Sequence, residues 1–72
     1  MKEKADQVRF KLIQNCLKYD WLIAQFEKIG THLTRTELSD ILNGRRTSEK
    51  AVMVLDKSIE LLNRYETVFV NA

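Results

Sequence analysis

The side chains best equipped for chemistry in this 72-residue chain lie close together, within residues 34–50: Thr34, Arg35, Thr36, Ser39, Asp40, Asn43, Arg45, Arg46 and Lys50. Their types suit recognition rather than bond-making. An arginine guanidinium bonds O6 and N7 of guanine through two parallel N–H groups, threonine offers a hydroxyl and a methyl, and a carboxylate accepts from N4 of cytosine. Arg45, Arg46 and Lys50 follow closely enough to flank the preceding segment on a phosphate backbone, and the planar fork of arginine fits phosphate oxygens. Contacts of that second kind position a molecule on a polyanion and do not specify sequence.

The sets that carry catalysis are missing: no paired carboxylates, no phosphate-cradling glycine loop and no Ser-His-Asp arrangement, so no enzyme and no small-molecule substrate is expected. His32 has no Cys or His at ligand spacing, which argues against a metal site, and no cofactor is expected. Cys16 falls on an apolar stripe, where a thiol behaves as a small inert hydrophobe. Trp21, Phe26 and Phe10 fall at helical spacing without interleaved basic residues, which suits core or interface better than base stacking.

Length and composition bound the rest. A chain of this size is expected to form one domain, 1–72, with no room for a second within these residues. Hydrophobic residues at 44% and charged residues at 31% describe an ordinary globular composition rather than a disordered tail. No apolar run approaches a bilayer span, so no membrane partner is expected, and the opening residues are polar and mixed in charge, unlike a signal peptide. With a single cysteine and hence no internal disulfide, the expected location is the cytoplasm. The net charge of only +2 is far from that of a nonspecific nucleic-acid binder, so any basic footprint must be local.

The elements that must position these residues read as helices. There is no proline, and the two glycines, Gly30 and Gly44, are the strong punctuation. Ala5, Val8, Leu12, Cys16 and Tyr19, widened by Ile13 and Leu17, recur at three or four and predict a helix over about 2–18. Asp20 suits an N-cap for a second helix over 21–29, closed by Gly30. Thr34-Arg35-Thr36-Glu37 has the form of a capping box, in which the Thr34 hydroxyl takes the Glu37 N–H and the Glu37 carboxylate returns to the Thr34 N–H. It opens a third helix over 35–43 with Leu38, Ile41 and Leu42 inward, stopped by Asn43-Gly44; Leu33 is placed as a hydrophobic staple before the cap. A fourth helix over 49–65, capped by Thr47 or Ser48, points Ala51, Val52, Leu55, Ile59 and Leu62 to one side. Residues 67–72 turn β-branched and aromatic and suggest a short strand or apolar arm.

A helix ending in a tight turn, then a short capped helix with a polar outer face, is the arrangement that holds one helix in the major groove while its neighbour braces it. The run Leu-Ser-Asp-Ile-Leu-Asn-Gly-Arg-Arg from Leu38 to Arg46 resembles the recognition helix and following loop of the Cro and phage-repressor-like (XRE) helix-turn-helix family, over about residues 20–62. The resemblance implies an all-α, four-helix, lambda-repressor-like domain with a short C-terminal arm or strand. It also implies that Arg35, Thr36 and Asp40, with Ser39 nearby, meet base edges, and that Thr34, Asn43 and Arg45 meet phosphates. The turn between the second and third helices is longer here than in the shortest members of that family, which leaves the angle between those helices open.

The function expected is that of a sequence-specific transcriptional regulator on an operator of double-stranded DNA, of the kind carried by phages and other mobile elements. One recognition helix contacts few base pairs, so a homodimer on two half-sites is expected, with Tyr65, Val68, Phe69 and Val70 as the residues available to join the copies. The alternative is a protein-interaction module, such as an antirepressor or regulatory partner, that keeps the helix-turn-helix outline. Low net charge and an acid, Asp40, within the groove-facing set favour that alternative.

Overall fold

A computed structural model describes residues 2–70, the side chain of residue 70 excepted, and the described chain is all-helical. Helix α1 spans Lys2–Gln14, α2 Tyr19–Lys28, α3 Arg35–Leu42 and α4 Glu49–Tyr65, and α4 runs on into a wider π-helical turn, Glu66–Val70. None of the described helices is long and apolar enough to cross a membrane. The short α3 sits centrally and packs on α1, α2 and α4, while α1 lies along α4.

One cluster of buried side chains joins the four helices. Ala5, Val8 and Leu12 come from α1, Leu22 and Phe26 from α2, Leu38, Ile41 and Leu42 from α3, and Ala51, Val54, Leu55, Leu61 and Leu62 from α4, with Leu33 entering from the turn before α3. Each helix therefore buries a stripe at three- and four-residue spacing, as its sequence predicts. The inward set expected for α3 is the buried one, and Leu33 is buried where a staple was expected.

Three of these helices end in the same way, and one of the ends corrects the sequence reading. After α2, the Gly30 N–H donates to Glu27 C=O and the Thr31 N–H to Phe26 C=O; after α3, Gly44 donates to Ile41 and Arg45 to Asp40. Both glycines have positive φ, +82° and +77°, the left-handed residue that this double hydrogen-bonded stop requires. After α1 the pattern recurs with Cys16 donating to Ile13 and Leu17 to Leu12, and Cys16 takes φ +57°. Helix α1 thus stops at Gln14 instead of about residue 18. Cys16 is an exposed turn residue, not part of the inward stripe. Leu17 folds back against the core, partly buried, and supplies the apolar contact that accompanies such a stop.

Further expectations are displaced for related reasons. Because α1 stops early, the chain re-enters a helix at Tyr19, and Asp20 lies inside the first turn of α2; the N-cap is Lys18, which makes no side-chain capping bond. Ile13 and Phe10, 77% and 66% exposed, face away from the core, and Val52 is also exposed. The tail expected as a strand or arm over 67–72 is instead the π-helical turn as far as residue 70. Its coil continues because Thr67 Oγ1 donates to Asn63 C=O at 3.0 Å and Glu66 is tied to α1 by Lys11 at 2.7 Å and Asn15 at 2.9 Å. Residues 71 and 72 lie outside the described residues.

Candidate functional site

The outer side of α3 is fixed by its inner side. With Leu38, Ile41 and Leu42 buried, helical geometry sends Arg35, Thr36, Ser39 and Asp40 to the opposite face. The start of α3 is set by the Thr34 cap, whose Oγ1 accepts the Glu37 N–H at 3.0 Å. The return half of the capping box is minor. The Glu37 carboxylate is engaged chiefly by Lys50, whose Nζ lies 3.0 Å from Oε2, and the Thr34 backbone contributes least. That pairing holds the Glu37 carboxyl below the ordinary glutamate range, the Lys50 hydrogen bond being the largest cause, and it ties the start of α3 to the start of α4.

Arg35, Thr36, Ser39 and Asp40 line one shallow concavity of about 340 Å³, together with Arg45 from the turn after α3 and Tyr19 from the start of α2. All four expected base-contacting residues therefore share one open surface with one of the expected phosphate contacts. Arg45 Nη1 lies 3.2 Å from Asp40 Oδ1, Arg46 Nε lies 3.6 Å from Oδ2, and Arg35 Nη1 lies 3.9 Å from Asp20 Oδ1. Asp40 is the most shielded of these five charged side chains, 24% exposed.

The other expected phosphate contacts are distributed around this face. Asn43 Nδ2 donates to Ser39 C=O at 2.8 Å and Oγ at 3.3 Å, while its Oδ1 accepts from Arg9 Nη1 at 3.3 Å. Ser39 and Asn43 therefore close the helix end as well as bordering the surface. Arg46 and Asn43 border a second groove, shared with Lys2, Asp6 and Arg9 of α1, and Arg9 also pairs with Asp6. Lys50 stands apart with Glu37, and Thr34 is exposed.

Sequence reasoning missed Tyr19 and Arg9. Tyr19 was counted in the first apolar stripe; its place on the concavity follows from the early stop of α1, for which the sequence carries no glycine signal. Arg9 is far from α3 along the chain and reaches Asn43 only through the packing of α1 on α3.

The expected dimer residues gather at the far end of α4. The Trp21 and Tyr65 rings meet edge-on with centroids 5.4 Å apart, and Tyr65 and Phe69 lie 5.1 Å apart. Val68 and Phe69 are 52% and 72% exposed beside that aromatic row. The side chain of Val70 lies outside the described residues. Among the described residues no group of three or more His, Cys, Asp or Glu is placed to hold a metal ion. Comparison of the chain with models of protein families, with curated proteins and with solved structures finds no match in any of the three.

Proposed function

We propose that this protein is a sequence-specific double-stranded DNA-binding regulator that reads the major groove with α3. The observation that carries the reading is the open concavity on which Arg35, Thr36, Ser39 and Asp40 stand together with Arg45. A helix with a fully buried inner side and a polar outer side, braced by three neighbours, presents its side chains to the ~12 Å major groove as a rigid unit. Arg35 and Thr36, at the first turn, reach base edges; Thr34, Asn43, Arg45, Arg46 and Lys50 contact phosphates around them. The Leu38–Arg46 run, with its resemblance to Cro and phage-repressor recognition helices, supports the same assignment. We place the protein in the cytoplasm as a homodimer, its copies joined through the Val68 and Phe69 end of α4, so that two helices occupy adjacent half-sites about 34 Å apart.

Selection of binding sites from random duplex tests the reading. The expected outcome is an enriched motif, and binding that weakens with salt by about 0.9 in log K per log unit of salt for each phosphate neutralised. Failure to bind any duplex at low salt overturns it, because a groove-binding protein has electrostatic affinity for every sequence.

A second reading, a protein-interaction module, is favoured by one observation: Arg35, Arg45, Arg46 and Lys50 each stand beside a carboxylate of the protein itself. Cations already paired offer less to a polyanion and more to a mixed-charge protein surface. The same low-salt titration separates the two, since this second reading expects no duplex affinity.

A further inference from the structure

The carboxylate at the centre of the α3 concavity is used on both of its oxygens. Asp40 Oδ1 takes Arg45 and Oδ2 takes Arg46, and the backbone C=O of Asp40 also accepts the Arg45 N–H at 2.8 Å in the stop that closes the helix. Side chain and backbone thus hold Arg45 against the end of α3, and the side chain alone holds Arg46. The guanidiniums remain well exposed while the carboxylate between them is mostly covered.

We propose that Asp40 is a positioning residue that suppresses binding to the wrong duplex, by holding Arg45 and Arg46 until a base-edge amino group takes their place at its carboxylate. The inference rests on the DNA-reading assignment of α3. A phosphate approaching either arginine meets a fixed negative charge just behind it. With the guanidinium between them, the two like charges stand roughly 6–7 Å apart, and at that separation in water the contact is weakened by about three-fold. Random sequence meets that penalty in full. At a cognate site, N4–H of cytosine donates to the carboxylate and keeps it hydrogen-bonded, and the released guanidiniums turn away from it to phosphate. A base that offers only acceptors at that place leaves the carboxylate either unpaired against DNA or still clamped on the arginines, and both outcomes disfavour the complex. Base reading and phosphate contact are in this way coupled through one side chain.

The test measures the affinity of the full chain for random duplex, and for a duplex selected from random sequence, across a salt series. It compares wild type with Asp40→Asn, Asp40→Glu and Asp20→Asn, with melting temperature as the check on folding. Asp40→Asn is expected to bind random duplex about three-fold more tightly or better. Its salt dependence is expected to steepen by about 0.9 per additional phosphate neutralised, and the preference for the selected duplex to fall. Asp40→Glu keeps the charge and stays near wild type on random duplex. Asp20→Asn makes the same change in net charge farther from Arg45 and Arg46 and is expected to move random affinity less. Equal effects of Asp40→Asn and Asp20→Asn reduce the matter to net charge and overturn the proposal. Unchanged random affinity and salt slope in Asp40→Asn overturn it while the DNA-binding reading stands. Absence of duplex binding by wild type and variants alike overturns both. If asparagine at this position lowers the melting temperature, Asp40→Ser carries the same comparison.

Discussion

Cys16 has a side chain beyond Cβ and yet holds φ +57°, in the place that Gly30 and Gly44 fill at the ends of the next two helices. For an L-residue the left-handed conformation costs about 1–2 kcal/mol, part of which glycine recovers and part of which it returns through its freer unfolded chain. Cys16→Gly is therefore expected to stabilise the protein by about 0.5–1 kcal/mol, equivalent to about 2–8 °C in Tm for a domain of this size. A melting curve that does not move, or moves down, would show that the early stop of α1 is not under strain. The two classes of arginine on the site differ at this same scale. Arg35→Ala should lower affinity for a selected site by about 1–3 kcal/mol and relax one base preference, whereas Arg45→Ala should leave the base preferences at other positions unchanged and weaken the selected site more than random duplex, where Asp40 restrains Arg45. Parallel titrations on selected and random duplex separate those outcomes, and an unchanged footprint for Arg35→Ala would remove Arg35 from the reading set.

Between elements, two of the side-chain connections pass through glutamates. Glu37 joins α3 to Lys50 of α4, and Glu66, just after α4, joins Lys11 of α1 and Asn15 just past its end. Both carboxyls titrate below the ordinary glutamate value, chiefly through the lysine hydrogen bond in each case. A depressed folded value means that the stabilisation is fully present above the unfolded value of about 4.5 and is lost as pH falls through the folded one. Melting temperature should therefore drop as the solution is acidified below about pH 4.5, and Glu37→Gln with Glu66→Gln should flatten that drop. An acid limb of the same steepness in the double variant would place the responsible groups elsewhere. What was legible in the sequence at this level follows the range of the forces. The start of α3 was readable because a cap is a local bond between residues three apart, and the ends of α2 and α3 were readable because glycine marks a left-handed residue. The end of α1 was not, since nothing about Cys16 announces positive φ. One misplaced helix end then carried Asp20 into the first turn of α2 and moved Tyr19 from the first stripe to the start of that helix, at the edge of the concavity. The partners of Asp40, Ser39 and Asn43 were equally out of reach, because a resemblance that assigns a side chain to a base or a phosphate says nothing of which intramolecular bond it already makes.

For the molecule as a whole, the most exposed large apolar side chains among the described residues stand at two places, while Ile29, Val52 and Met53 are exposed to a lesser degree. One is the end of α4, where Val68 and Phe69 extend the row of Trp21 and Tyr65; the other is the outer side of α1, where Phe10 and Ile13 stand exposed three residues apart. Only the first joins an aromatic row already fixed against the core, so association there orders few additional side chains, which reduces the entropic opposition to a two-fold contact. Val68→Ser with Phe69→Ser is expected to shift sedimentation equilibrium toward monomer, leave the helical circular-dichroism signal intact, and weaken a two-half-site duplex more than a single half-site. The pair Phe10→Ser with Ile13→Ser serves as the counterpart, and is expected to leave association unchanged. If the second pair dissociates the copies and the first does not, the interface belongs to α1, and the α3 concavities would then have to be related by a different two-fold axis, with a different half-site spacing read out in the same titration.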